Sequence, residues 1–247
     1  MPSGGRPPWV ATNRKPVCPP GSGSDAAAAV GSHTSGTGLP AFVPSSKGTL
    51  ASLIFTGELH LAVNAHALAR FAALSQETGL VPIVEPEVLM DGDHPLEHCY
   101  EVTLAAQRAL FAELAGQRVA LEHMLLKPNM VLAGRDSVEK PSVADAASAT
   151  LRCLRNAVPP AVPGIVFLSG GQSPEEATAH LNAMNAGVPR PWVLSFSFAR
   201  ALQDPALAMW RGDPSKVTSA QDAFGRRAHL NGLAQLGRYD SATDTHS

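Results

Sequence analysis

The chain has 247 residues, of which 45% are hydrophobic and 16% charged, with a formal net charge of -2. That balance fits a globular protein of one large domain or two small ones, and gives no electrostatic reason to expect nucleic acid or an anionic membrane as partner. No apolar run approaches membrane-spanning length, and Cys18, Cys99 and Cys153 are too widely spaced for a disulfide framework or a paired metal site. Such cysteine usage points to a reducing, cytoplasmic compartment.

Residues 1–50 hold 8 of the 21 prolines and 8 of the 21 glycines, and they show no hydrophobic period. A stretch of this kind buries too little apolar surface to offset ordering entropy, so a disordered leader is expected over 1–50. It lacks the apolar core of a secretory signal, and its glycine and proline content opposes the amphipathic helix of a transit peptide.

The pattern then changes, and an ordered region is expected over 51–239, followed by a flexible tail over 240–247. Residues 65–75 place apolar side chains at helical spacing. A short strand over 80–84, a long amphipathic helix over 96–114 and a second strand over 119–126 follow. Ser142 with Asp145 reads as the cap of the next helix. A third strand spans 165–168. Ser173-Pro174-Glu175-Glu176 is a capping signature, with Ser173 as N-cap and Pro174 in the first turn. A fourth strand covers 193–196, and two closing helices are expected from Asp204-Pro205 and Asp213-Pro214. Alternating strands and helices mean a parallel sheet with helical crossovers. The fold class is therefore α/β, with about four strands, half of an eight-stranded (β/α)8 barrel. A complete barrel takes about 250 residues, more than the roughly 185 patterned residues here supply.

Lys127 ends the apolar run Leu-Glu-His-Met-Leu-Leu-Lys-Pro (121–128), where burial pushes an amine towards its neutral, nucleophilic form. In a regular strand, residues 123, 125 and 127 share a face, so Lys127 leaves at the C-terminal strand end, where barrel enzymes build active sites, with His123 pointing inward below it. Glu85 and Glu87 share a face at the end of the preceding strand. Their mutual repulsion is expected to raise one pKa, suiting proton transfer near neutrality. Ser169-Gly170-Gly171 after the third strand and Ser197 with Arg200 after the fourth combine close backbone approach with a guanidinium, a pattern suited to phosphate. His94 and His98, four apart, could share a helical face as metal ligands, but Pro95 places His94 at the helix start.

These strings resemble class I fructose-bisphosphate aldolases over about residues 64–239, matching the C-terminal half of that family. The similarity is carried by Leu-Val-Pro-Ile-Val-Glu-Pro-Glu (80–87), Met-Asp-Gly-Asp-His (90–94), Leu-Leu-Lys-Pro-Asn-Met-Val (125–131), Val-Pro-Pro-Ala-Val-Pro-Gly-Ile (158–165), Phe-Leu-Ser-Gly-Gly-Gln-Ser (167–173) and Leu-Ser-Phe-Ser-Phe-Ala-Arg-Ala-Leu (194–202). The resemblance implies Lys127 as the Schiff-base lysine, Glu85 as the acid/base of imine formation and Glu87 as its neighbouring carboxylate. It implies that Ser169, Gly170, Gly171, Ser197 and Arg200 hold a substrate phosphate. The implied reaction is reversible cleavage of fructose 1,6-bisphosphate to dihydroxyacetone phosphate and glyceraldehyde 3-phosphate, without metal or other cofactor, in an enzyme that commonly assembles as a homo-oligomer.

The sequence also departs from the family. The aspartate, lysine and Lys-Trp-Arg motif of the family's N-terminal half have no counterpart here, Phe198 stands where tyrosine is common, and His123 replaces a usual glycine. A lyase that is weakly active or inactive as this chain is the expectation. The alternatives are a non-catalytic phospho-sugar-binding relative and an interaction module.

Overall fold

The computed structural model describes residues 50–187 and 189–244, all within the unit Leu39–Ser247. The leader expected over 1–50, except its last residue, and residues 245–247 of the expected tail lie outside the described residues. Helix α1 (Leu50–Glu77) is followed by β1 (Ile83–Val84), α2 (Leu96–Gly116), β2 (Leu125–Leu126), α3 (Val143–Ala157), β3 (Gly164–Phe167), α4 (Pro174–Asn185), β4 (Val193–Phe196), α5 (Arg200–Trp210) and α6 (Val217–Gln235). The strands form one parallel sheet in chain order, as expected of half a barrel.

Register explains the two faces of this sheet. Val84, Leu126, Ile165 and Leu194 are aligned across the four strands and are at most 1% exposed. They pack with Ala69, Leu110, Leu154 and Leu181 from the helices, the main core of the molecule. The opposite face carries Ile83, Leu125, Gly164 and Val193, of which Ile83 and Val193 are exposed. Successive residues alternate faces in a strand, so Glu85 and Lys127 continue this second, more open face. Residues that line a barrel's interior belong to such a face.

The helices form for legible reasons. Both capping serines act as read: the Ser142 hydroxyl accepts from Asp145 N–H and the Ser173 hydroxyl from Glu176 N–H, with the acid side chain returning to the serine N–H in each case. Helix α2 buries Thr103, Gln107, Leu110 and Leu114 at three- and four-residue spacing. Against it, α1 presents Ala65, Ala69 and Ala72, small residues that let two helices approach closely.

Three expectations need correction. The strand read over 119–126 pairs only at Leu125–Leu126, because Leu121–His123 is a turn of 3-10 helix. The cause is tertiary. Gln76 on α1 accepts from Ala120 N–H through Oε1 and donates through Nε2 to Ala120 O, both at 2.9 Å, so a side-chain amide occupies the groups a neighbouring strand would use. His123 is therefore exposed and does not point into a barrel layer. Second, the helix expected from Asp204-Pro205 begins at Arg200, with Pro205 inside it and no side-chain cap. Asp213 does cap, accepting from Ser215 N–H, but opens a 3-10 turn before α6. Third, the described part of the expected flexible tail is held in place. Ser241–Thr243 form a 3-10 turn, and the next residue, Asp244, is buried.

Asp244 is the centre of a buried polar latch. Its two carboxylate oxygens accept from Arg227 of α6 at 2.8 Å each, and one also accepts from the Tyr239 hydroxyl at 2.7 Å. Arg227 reaches Glu175 of α4 at 3.0 Å as well. Burial alone would raise the Asp244 pKa. The hydrogen bonds from Arg227 and Tyr239 outweigh it and hold the carboxyl below its usual range. Burial and the bond to Asp244 push the Tyr239 hydroxyl pKa up.

Candidate active site

Lys127 follows β2 directly, and its N–H still donates to Val84 O at 2.7 Å, so the strand geometry carries through to the lysine. Pro128 ends further pairing from its own nitrogen, while its carbonyl accepts from Leu168 N–H at 3.1 Å. The residue is thus clamped between its neighbours on both sides. Its side chain is 10% exposed, and its ammonium lies 3.0 Å from Glu85 Oε2. The lysine is buried as its sequence setting suggests, but a carboxylate accompanies it.

Glu85 leaves β1 between Pro82 and Pro86, prolines that restrict the backbone on either side. Beyond it, Asn129 accepts from Val88 N–H at 3.0 Å and donates to Thr103 of α2 at 3.1 Å, tying the loop after β1 to the loop after β2. Sequence reading passed over Asn129, since nothing local marks an asparagine as a brace. The Glu87 pKa is raised. The first cause is desolvation by surrounding protein, opposed by the Arg200 charge and reinforced by Glu85 and then Asp91. The direction is as expected, whereas the main cause is desolvation rather than repulsion between the two acids.

Residues 169–172 make a tight turn in which Gln172 N–H donates to Ser169 O at 3.1 Å. Gly170 and Gly171 have φ of 59° and 88°, positive values at both central positions that glycine accommodates. The turn is anchored from beneath. Gln172 donates to Ser169 O at 2.8 Å and bonds the buried His180 ring at 2.6 Å. Burial lowers the His180 pKa. Ser197 N–H donates to Phe167 O at 2.8 Å, extending the β3–β4 ladder and setting Arg200 at the first turn of α5. An added Cβ on Gly171 would lie 3.8 Å from Arg200 Nη2 and 2.6 Å from Arg135 Nη2.

The fold therefore brings the expected residues to one rim. Lys127 and Glu85 touch, Glu87 feels both of them and Arg200, and Arg200 flanks the turn holding Ser169, Gly170 and Gly171. Ser197 ends the β3–β4 ladder three residues before Arg200. His94 and His98 lie with ring centroids 6.0 Å apart, His94 outside the helix. Among the described residues no group of three or more His, Cys, Asp or Glu side chains is placed to hold a metal ion. No described helix is long and apolar enough to cross a membrane.

Comparison with known proteins agrees with this architecture. The family model for fructose-bisphosphate aldolase class-I matches residues 54–247. A probable fructose-bisphosphate aldolase class 1 of Xanthomonas campestris is 54% identical over 177 residues, 71% of this chain and 53% of the relative. The fructose-bisphosphate aldolase of Dictyostelium discoideum is 50% identical over 190 residues, 77% of this chain and 53% of its own. A solved structure of fructose-bisphosphate aldolase from Plasmodium falciparum, in complex with TRAP and a small-molecule inhibitor, superposes with a TM-score of 0.72 at 47% identity, covering 74% of this chain and 52% of that one. The chain spans about half the length of the curated relatives it matches. With an α/β fold of four parallel strands and matches at about 50% identity, this chain belongs to the class I fructose-bisphosphate aldolase family.

Proposed function

We propose that the rim of this sheet forms the imine half of an aldolase site, acting on a ketose phosphate. The observation that carries the reading is the 3.0 Å approach of a buried lysine to Glu85 at the strand end. In the first step the Lys127 amine, once deprotonated, attacks the ketone carbon of dihydroxyacetone phosphate or fructose 1,6-bisphosphate. A carbon–nitrogen bond forms as Glu85, which has taken the ammonium proton, passes it to the carbonyl oxygen, giving a carbinolamine. Glu85, within reach of the same nitrogen, then relays a proton to the leaving hydroxyl. Water departs and an iminium remains on Lys127. The positive charge of this iminium is next to Glu85, and Glu87, with its raised pKa, is a second proton carrier. Arg200, Ser197 and the Ser169–Gly171 turn take the phosphate.

Carbon–carbon cleavage to glyceraldehyde 3-phosphate draws, in the family, on an aspartate and a Lys-Trp-Arg lysine, and no Lys-Trp-Arg occurs among these 247 residues. The 247-residue polypeptide is therefore expected to form the imine and cleave fructose 1,6-bisphosphate weakly or not at all. Borohydride reduction in the presence of dihydroxyacetone phosphate, followed by mass spectrometry, tests the first half. An adduct on Lys127 that disappears in Lys127→Met is expected, and an adduct unchanged in that variant sinks the assignment. Cleavage at a rate typical of whole aldolases would sink the second half. Among the described residues the outer edges of β1 and β4 have no strand partner, which supports reading the chain as part of a larger assembly, such as a homo-oligomer. Sedimentation of the purified chain as a monomer at all concentrations would remove the self-association.

A further inference from the structure

The Met-Asp-Gly-Asp-His segment at 90–94 has no part in imine chemistry, yet it is fastened with care. Gly134 N–H donates to His94 O at 2.8 Å, Arg135 N–H to Met90 O at 2.8 Å, and Asp136 N–H to Gly92 O at 2.9 Å. The two loops run as a short ladder. At its centre Gly134 packs so closely that an added Cβ would meet Gly92 O at 2.3 Å. A backbone held at three successive residues fixes where the side chain between them starts. The Arg135 side chain goes to the phosphate turn, reaching within 2.6 Å of where a Cβ on Gly171 would be, and Met90 Sδ lies 3.6 Å from the same point.

Arg200 Nη2, from α5, lies 3.8 Å from the same point. Two guanidinium groups therefore converge on one glycine. Among the described residues neither makes an ion pair or a side-chain hydrogen bond. The Lys140 ammonium adds a third positive charge nearby, 3.5 Å from Arg135 O. Glu87 feels the Arg200 charge but forms no bonded pair with it, so both guanidinium groups keep their donors for a ligand; two like charges converging on one glycine repel each other, and an incoming dianion relieves that repulsion. The separations let oxygens of a single phosphate, each about 2.8 Å from its donor nitrogen, reach both guanidinium groups.

We propose that Arg135 is a second phosphate-gripping residue, closing with Arg200 over Gly171 on the phosphate monoester of the substrate. This rests on the reading that the rim binds a ketose phosphate, and it gives the 90–94 segment a role as the brace that aims Arg135. A guanidinium offers a planar pair of donors to a phosphate where a lysine offers a single point of charge, so Arg135→Lys restores only part of the grip.

The test uses the purified 247-residue chain and its Arg135→Ala, Arg135→Lys and Arg200→Ala variants. Inorganic phosphate is titrated by calorimetry. Borohydride trapping is run in parallel with dihydroxyacetone phosphate and with unphosphorylated dihydroxyacetone. Arg135→Ala is expected to weaken phosphate binding by about tenfold or more, a change of the size one charge-assisted contact supplies. It should raise the dihydroxyacetone phosphate concentration needed for half-maximal trapping by a similar factor, and leave trapping of dihydroxyacetone unchanged. Arg135→Lys should fall between. Phosphate affinity equal to that of the unsubstituted chain in Arg135→Ala, with a loss in Arg200→Ala, overturns the proposal. So does an equal loss for both ketoses, which marks a structural role. Absence of any adduct in the unsubstituted chain would sink the imine reading alone, and the phosphate titration would still decide on Arg135. Arg135 is exposed, so equal urea midpoints are expected across the set.

Discussion

The rim and the C-terminal latch are both clusters of arginine, carboxylate and neighbouring hydroxyl groups, and they are built on opposite plans. In the latch, Arg227 and Asp244 are buried, bonded twice to each other, and further satisfied by Tyr239 and Glu175. At the rim, Arg135 and Arg200 are exposed and, among the described residues, make no ion pair or side-chain hydrogen bond, Arg200 acting on Glu87 through charge alone, and Glu85 keeps 43% of its side chain in solvent. Charges that answer one another hold two helices and a chain end together. Guanidinium donors left without a bonded partner beside a rigid turn are available to a ligand. The pair Lys127–Glu85 lies between the two plans, matched in charge but open to solvent on one side.

Substitutions can break or sharpen this contrast. The largest effect is expected at the latch. Arg227→Ala strands a buried Asp244 carboxylate, and the loss should be about 3–5 kcal/mol in urea unfolding. A loss under about 1 kcal/mol would mean the latch does not hold the fold. Next comes the brace. Gly134→Ala forces a Cβ into Gly92 O, with an expected cost of about 1–3 kcal/mol and weaker phosphate binding because Arg135 loses its aim. Unaltered phosphate affinity in a folded Gly134→Ala protein would separate the brace from the grip. Lys127→Met, which swaps a buried amine for an apolar side chain of similar length and leaves the half-exposed Glu85 hydrated, should shift stability by less than about 1 kcal/mol while abolishing the adduct. A large destabilisation there would make Lys127 a structural member like Arg227.

The smallest effects concern pH, and the two clusters should differ in sign. Asp244 has a lowered folded pKa, so its contribution is fully present above its unfolded value of about 3.9 and is lost as pH falls through the folded one. Glu87 has a raised folded pKa, so its contribution is present below its unfolded value of about 4.3 and is lost as pH rises through the folded one. Asp244→Asn should therefore flatten the stability curve on its acid side, and Glu87→Gln should gain on the unsubstituted chain at neutral pH. Unfolding midpoints from pH 3 to pH 8 check both. The same slope change in the two variants would contradict the contrast.

Much of the fold is legible in the sequence because it is local. A cap is decided within three residues, so Ser142 with Asp145 and Ser173 with Glu176 could be read directly. The alternation of strand and helix announced a parallel sheet, and motif strings placed Lys127, Glu85, Glu87 and Arg200 at strand ends. Local signals misled in two places, and in the second a distant residue had overridden them. The Asp204-Pro205 pair looks like a helix start, but the backbone already turns at Arg200. Residues 119–124 look like strand, but Gln76 from α1 takes their pairing groups.

The sequence by itself determined the family, the four strand–helix units and which lysine stands at the end of an apolar strand, because periodicity, caps and motif strings are properties of neighbouring residues. Only the tertiary structure decided that desolvation raises the Glu87 pKa and that the segment through Asp244 is latched. It alone revealed that Arg135 stands beside Arg200 over Gly171. Desolvation, ion pairing and the convergence of side chains depend on which distant segments share a few ångströms of space, and no spacing along the chain encodes that.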